Sequence, residues 1–197
     1  RALTTFETDG ATVPGRFNRM DFGGVELILD YGHNPAALQA LTQAVQALEP
    51  RRTALAITLP GDRRDEDLIA SIGATAPMTD EYILYEAQEA RGRIPGATLK
   101  LLAQHVPDGK RLTLADDQFH AIRLGLATLL PGDRLVVIAE HVDGVLTYLQ
   151  GITNQGDKDY HCTMPVFDAP VAVPMRETNG VYEAVGSMPA KGKNGRA

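Results

Sequence analysis

The sequence predicts an α/β fold: a three-layer, Rossmann-like domain of about six strands, with a mostly parallel sheet, one antiparallel strand at its start and helices on both faces. Three observations carry this. Short apolar runs alternate with helix-period segments along residues 16–151. Many junctions carry Pro and Gly, as in Pro60-Gly61, Pro107-Asp108-Gly109 and Pro131-Gly132-Asp133. The run Leu135-Val136-Val137-Ile138 has the unbroken hydrophobicity of a strand covered on both faces.

Residues 1–15 are polar and end in Pro14-Gly15, so they read as a linker. Residues 17–22 read as a strand. Gly23-Gly24 offers two residues able to take positive φ, as a tight hairpin turn requires. The apolar run 25–30 is the partner strand. Asn34 has the side chain of a helix N-cap, and Pro35 suits the first helical position, where no N–H is needed. Helix 35–48 follows, with Leu38, Leu41, Val45 and Leu48 at helical spacing. Strand 53–59, a helix near 65–74, strand 81–85 and a helix over about 95–105 come next. Strand 111–114, helix 117–130, strand 134–139 and a helix near 142–149 complete the alternation. Right-handed crossovers between parallel strands then place helices on both faces. Over 152–197 the periodicity fails, and this stretch reads as an irregular tail. Within it, Val171-Ala172-Val173 is a candidate edge strand and the Gly/Lys-rich 191–197 reads as disordered.

The 197 residues suffice for one domain with a sizeable core. A formal net charge of −6 argues against a nucleic-acid partner. No apolar run approaches the ~20 residues of a membrane-spanning helix, so no membrane partner is expected. The one cysteine, Cys162, cannot form an internal disulfide, which fits a reducing, cytoplasmic location. One Cys and scattered His residues make no metal-ligand pattern, so no metal site is expected in this chain. The chain opens on Arg1 rather than Met and reads as a piece of a longer polypeptide.

Candidate chemistry collects at the carboxyl ends of the strands, where open α/β sheets bind ligands. Asp30-Tyr31-Gly32-His33-Asn34-Pro35 lies there, beside a helix N-terminus. Asp30 could hold Arg16, accept from a ribose hydroxyl, orient a metal-bound water, or receive nearby backbone N–H groups. His33 could bond a ligand or tie the turn together. Arg16, just after Pro14-Gly15, could meet a phosphate bidentately or stand as a surface cation at a strand start. Arg63 and Arg64 share a loop with Asp62, Asp65, Glu66 and Asp67. Two adjacent cations suggest an anionic ligand, and Asp62 or Asp65 is expected to cap the next helix. Arg91 and Arg93 flank Gly92 and invite the same reading. Asp116, Asp117 and Glu140 could recognise a cationic amino acid or act as a cap and first-turn acids. The chain has no G-x-x-x-x-G-K-S/T phosphate loop, no G-x-G-x-x-G fingerprint and no G-x-S-x-G nucleophile elbow.

Four segments together resemble the C-terminal domain of the Mur ligase superfamily, nearest its cyanophycin synthetase branch. They are Pro14-Gly15-Arg16-Phe17-Asn18, Asp30-Tyr31-Gly32-His33-Asn34-Pro35, Pro60-Gly61-Asp62-Arg63-Arg64-Asp65-Glu66-Asp67 and Arg91-Gly92-Arg93. The likeness runs through residues 12–150, with Gly32 where that branch more usually has Ala. The resemblance implies a domain of an ATP-dependent amide-bond ligase. Such enzymes activate a carboxylate as an acyl phosphate, which an amine attacks with loss of phosphate. It implies ATP and Mg as cofactors, both held mainly by a central ATP-binding domain of the same polypeptide. That domain is the expected partner, with an amino-acid or peptide substrate and room for a homo-oligomer, and this piece alone would be inactive. By resemblance, Arg16, Asp30 and His33 are catalytic, and Arg16, Asp30 and Asn34 contact the nucleotide. Arg63, Arg64, Arg91 and Asp117 would bind substrate on the acceptor side. In the cyanophycin branch the product joins arginine to aspartate side-chain carboxylates. One alternative is a peptidoglycan-precursor or folylpolyglutamate-type ligase, against which the 61–67 segment argues. Others are a non-catalytic binding or oligomerisation module of the same fold, or a flavodoxin-like regulator, which fits the alternation but not the motifs.

Overall fold

The computed structural model describes residues 14–154, 175–178 and 181–184. The first strands, β1 (Asn18–Phe22) and β2 (Val25–Asp30), form an antiparallel hairpin. Its turn residues Gly23 and Gly24 sit at φ +61° and +88°, the positive values a two-residue hairpin loop demands. Then follow α1 (Pro35–Gln46), β3 (Thr53–Ile57), α2 (Asp65–Thr75) and β4 (Glu81–Tyr85). α3 (Ala97–Gln104), β5 (Arg111–Ala115), α4 (Gln118–Thr128), β6 (Arg134–Ile138) and α5 (Val142–Asn154) complete the first unit. Six strands form one sheet in the order β1-β2-β6-β3-β4-β5, with every pairing after the first parallel.

Side-chain alternation along the strands splits the core in two. Ile28, Leu55, Ile57, Tyr82, Leu84 and Val136 point to one face, where Leu38, Leu41, Leu68, Ile72 and Leu102 of α1, α2 and α3 cover them. Leu27, Leu29, Ala56, Ile83, Leu135 and Val137 point to the other, under Ala121 and Ile122 of α4 and Val145 and Leu149 of α5. The three layers therefore follow from period-two strands meeting period-3.6 helices. The Tyr85 hydroxyl, buried, donates to Ile138 O at 2.8 Å and ties the carboxyl end of β4 to that of β6. Burial pushes that phenol above its ordinary value.

At the opposite edge of the sheet, charge is buried in pairs. Glu26 and Arg134 are register partners on β2 and β6. Arg134 is only 2% exposed and donates through Nε to Glu26 Oε2 at 2.8 Å. Arg19 bonds the other Glu26 oxygen at 2.7 Å through its Nε. Burial works to raise the Glu26 carboxyl, but the bonds from Arg134 and Arg19 outweigh it and hold the group below its ordinary value.

Element ends differ from the sequence expectation where local geometry intervenes. α3 starts at Ala97 rather than 95 because Gly96 takes φ +81°. α2 has Arg64 at its N-cap, without a side-chain bond, so neither Asp62 nor Asp65 caps it; Asp65, Glu66 and Asp67 fill its first turn. There they complement the positive end of the helix dipole. α5 runs on to Asn154, past the expected 149, because Ile152 continues the Val145 and Leu149 stripe onto the core. A separate unit spanning residues 159–197 carries an antiparallel hairpin, β7 (Met175–Thr178) and β8 (Val181–Ala184), within the stretch read as irregular. Val171-Ala172-Val173, residues 191–197 and residues 1–13 of the linker lie outside the described residues.

Candidate functional site

Strand order creates a crevice at the carboxyl edge. β6 lies between β2 and β3, yet its loop leads to α5 on one face while theirs lead to α1 and α2 on the other. The backbone parts on both sides of β6, which is the topological switch that opens a ligand cleft. Two recesses occupy it. One is lined by Tyr31, His33, Pro60, Glu89, Arg91 and Glu140, among others. The second is lined by Pro14, Arg16, Tyr31, Glu140, His141 and Asp143, with Val142. Tyr31 and Glu140 border both, so the recesses share one rim.

Arg16 lines the second recess, whereas Asp30 lines neither and holds the residue next to Arg16 instead of forming an ion pair with it. Asp30 Oδ1 accepts from Gly32 N at 2.7 Å and Oδ2 from Phe17 N at 3.0 Å. Both carboxylate oxygens are thus engaged by backbone, and the second bond braces Phe17, which sits at φ +53°. On the other side Gly15, at φ +70°, passes so close to α5 that a Cβ would lie 2.6 Å from Val142 Cγ2. The chain leading into β1 is therefore clamped between the end of β2 and the start of α5. Arg16 stands exposed between those clamps, and its guanidinium has no partner among the described residues. Gly32 is confined less tightly: a Cβ there would fall 3.0 Å from Asp30 Oδ1 and 3.1 Å from Ala37 Cβ, a gap that small shifts could relieve.

His33 Nδ1 lies 2.9 Å from Tyr31 O. A carbonyl only accepts, so Nδ1 carries the proton and, in the neutral ring, Nε2 is left as an acceptor. The ring also meets Tyr31 edge-on, with centroids 5.0 Å apart. Asn34 Oδ1 accepts from Ala37 N at 3.0 Å and caps α1, with Pro35 at the first helical position.

The arginine-rich loops behave unequally. Arg93 is spent on structure: Nε donates to Gly61 O at 2.7 Å, Nη2 bonds Arg63 O, and the same group pairs with Asp65 Oδ1 at 2.7 Å. It clasps the loop after β4 to the loop after β3 and is not open to an anion. Arg64 grips Asp67 with two bonds, at 3.0 and 3.1 Å, on the exposed start of α2. The bond from Arg64 holds the Asp67 carboxyl below its ordinary value. Arg63 and Arg91 both approach Asp62 loosely, at 3.8 and 3.9 Å. Only Arg91, held at φ +45°, also lines a recess. The expected pair of adjacent cations is therefore split, with neither Arg63 nor Arg64 on the lining of either recess.

Gly61 is indispensable to that clasp. A Cβ there would fall 2.3 Å from Ala90 O, which is backbone and cannot swing aside. Gly61→Ala is expected to destabilise the domain by about 1–3 kcal/mol through overpacking. A lowered urea midpoint at unchanged m-value would register it; an unchanged midpoint would mean that the two loops part freely.

Asp117 Oδ1 accepts from His120 N at 2.8 Å and caps α4, and Asp116 pairs with His120 Nδ1 at 3.0 Å. Neither lines a recess, so the three acids Asp116, Asp117 and Glu140 do not act as one patch. Glu140 alone reaches the rim. Both its oxygens accept from Gln88 N, at 3.0 and 3.1 Å. Gln118, 5% exposed, accepts through Oε1 from Glu140 N and His141 N at 3.2 and 3.3 Å, and so sets the β6–α5 turn. Gln88 Oε1 also lies 3.0 Å from His141 Nε2. Sequence reasoning passed over Gln88 and Gln118. The one usable signal was the N-cap at Asp117, which places Gln118 at the first position of α4.

Comparison with known proteins agrees with this architecture. Residues 15–141 match the family model described as Mur ligase, glutamate ligase domain. The chain is 28% identical over 172 residues to a cyanophycin synthetase of Nostoc sp., covering 84% of this chain and 19% of that protein. It is 32% identical over 140 residues to that of Trichormus variabilis, covering 69% of this chain and 15% of that protein. The chain thus spans less than a fifth of those relatives. Among solved structures, a UDP-N-acetylmuramoyl-L-alanyl-D-glutamate–2,6-diaminopimelate ligase superposes with a TM-score of 0.61 at 19% identity, covering 74% of this chain and 33% of that one. E. coli FolC in complex with ADP superposes at 0.58 and 21% identity, covering 73% of this chain and 33% of that one. The sheet order, the crevice beside β6 and the family match over most of the described first unit agree: this chain belongs to the Mur ligase family and contains its C-terminal, glutamate ligase domain.

Proposed function

We propose that this chain forms the C-terminal part of an ATP-dependent acid–amino-acid ligase that joins arginine to aspartate side-chain carboxylates through an acyl phosphate. A central ATP-binding domain of the same polypeptide completes the site. One observation carries the reading: Arg16 is an exposed guanidinium on the clamped cleft rim that forms no ion pair among the described residues, although Glu140 and Asp143 line the same recess. Similarity to cyanophycin synthetases over most of the chain supports the choice of substrates.

When bound, ATP supplies the phosphoryl group that converts the carboxylate to a reactive acyl phosphate. Arg16 is suited to meet phosphate oxygens bidentately and to neutralise the charge that shifts as the phosphoryl group moves. Because this cation stands on one domain and the nucleotide on another, the site is complete only after closure, which limits wasteful hydrolysis. Asp30 works through the backbone as a positioning residue, bracing Phe17 and so aiming Arg16. Asn34, with Oδ1 occupied by its cap, has only its amide N–H groups to offer the nucleotide. In the neighbouring recess, Glu89 and Glu140 suit the cationic end of arginine and Arg91 its carboxylate. His33 Nε2 is an acceptor bordering the same recess, suited to hold the incoming amine's proton. The resemblance assigns the Mg ligands mainly to the neighbouring domain, where one or two carboxylates and the ATP phosphates would hold the ion.

The test is phosphate release by the full-length polypeptide containing this chain, given ATP, an aspartate-containing primer and arginine. Arginine-dependent release supports the reading. Release with diaminopimelate or glutamate but not arginine overturns the substrate assignment and keeps the ligase class. No release with any amine removes the ligase reading.

A further inference from the structure

β5 ends the sheet opposite β1, and among the described elements it pairs only with β4. It is poorly covered: Leu112 and Leu114 are 41% and 43% exposed, whereas every residue of β4 is buried. Arg111 N donates inward to Asp80 O at 3.2 Å. N–H and C=O of one strand residue point the same way, and the direction reverses at the next residue. Arg111, Thr113 and Ala115 therefore face β4, and Leu112 and Leu114 turn their backbone groups outward. Among the described residues these outward N–H and C=O groups meet no partner, and such an edge, with its leucines exposed, is a template for another strand.

The sequence of this edge is complementary to itself. An antiparallel dyad through Thr113 sets Leu112 opposite Leu114, Arg111 opposite Ala115 and Lys110 opposite Asp116 of the second copy. In that register the two outward-facing leucines fall in hydrogen-bonded pairs, and just beyond each strand end Lys110 comes opposite Asp116, whose carboxylate also meets His120 Nδ1 at 3.0 Å. Neither neighbouring register that keeps the outward groups paired does as well. Centring on Leu112 sets Asp108 against Asp116, a repulsive pair, and centring on Leu114 sets Lys110 against Gln118. Cross-strand apolar and opposite-charge pairs stabilise a sheet, and like charges directly opposed destabilise it.

We propose that β5 is a homotypic interface, where two copies of this chain join their six-stranded sheets antiparallel about Thr113. The seam is only five residues long on each side. Interfaces that bury less than about 1,200 Å² are weak and transient, so the dimer forms in a concentration-dependent way.

Sedimentation velocity of the 197-residue chain over a concentration series tests this. A reversible monomer–dimer equilibrium is expected. Leu114→Lys on the exposed edge should raise the dissociation constant at least about tenfold. Lys110→Asp and Asp116→Lys should each weaken the dimer, and the double swap should restore it, which a general loss of folding would not do. A chain that stays monomeric throughout, a dimer indifferent to Leu114→Lys, or a double swap that fails to restore association would each overturn the proposal.

Discussion

Arg16→Ala in the full-length polypeptide is expected to lower kcat for amine-dependent phosphate release by about 10²–10³-fold, the usual effect of losing one preorganised charge stabiliser. The loss should fall on kcat more than on KM for the amine, because Arg16 borders the second recess and not the one containing Arg91. Arg16→Lys keeps the charge but not the planar fork, and should recover only part of the rate. Asp30→Ala should imitate Arg16→Ala, since it releases Phe17 N and Gly32 N together. Steady-state phosphate release decides this, with circular dichroism confirming folding. Wild-type kcat in Arg16→Ala would remove the guanidinium from the mechanism.

Glu26→Ala is expected to have the largest effect on stability. It strands Arg134, which is 2% exposed and whose guanidinium keeps, among the described residues, only the Glu49 carbonyl at 3.2 Å. Leaving a buried charge unpaired costs about 3–5 kcal/mol, a large share of a domain's net stability. Replacing both partners with apolar residues, Glu26→Leu with Arg134→Met, should restore most of it. Because the Glu26 carboxyl is held below its ordinary value in the folded state, its contribution has a definite pH window. It is fully present above the unfolded value of about 4.3 and is lost as pH falls through the lowered folded value. Urea unfolding from pH 7 downward should show wild type losing this increment in acid while Glu26→Gln, already without it, falls less steeply. Parallel curves for the two proteins would show that the pair adds no pH-dependent stability.

Legibility varied with the range of the interaction. Asn34 capping α1 and Asp117 capping α4 were readable because a cap involves residues three apart. The Gly23-Gly24 turn was readable for the same reason. Arg93, read as a ligand-binding cation, is instead bonded to Gly61 and Arg63, 32 and 30 residues away in sequence. Gln88 and Gln118 matter only because the ends of β4, α4 and β6 converge. Glu26 and Arg134 are 108 positions apart, and nothing in their local sequence marks them as a pair.

By itself the sequence determined the αβ alternation, the antiparallel start, most helix boundaries to within a few residues and the family. All of these rest on periodicity and short motifs written in consecutive residues. Only the tertiary structure decided which charged side chains are free to act. It left Arg16 unpaired among the described residues on a clamped rim, turned Asp30 toward backbone N–H groups, spent Arg93 on a loop 30 residues away in sequence and let Arg64 settle on Asp67. Whether a guanidinium meets a carboxylate or stays open is set by which loops the strand order brings within a few ångströms, and that distance is not encoded in any single stretch of chain.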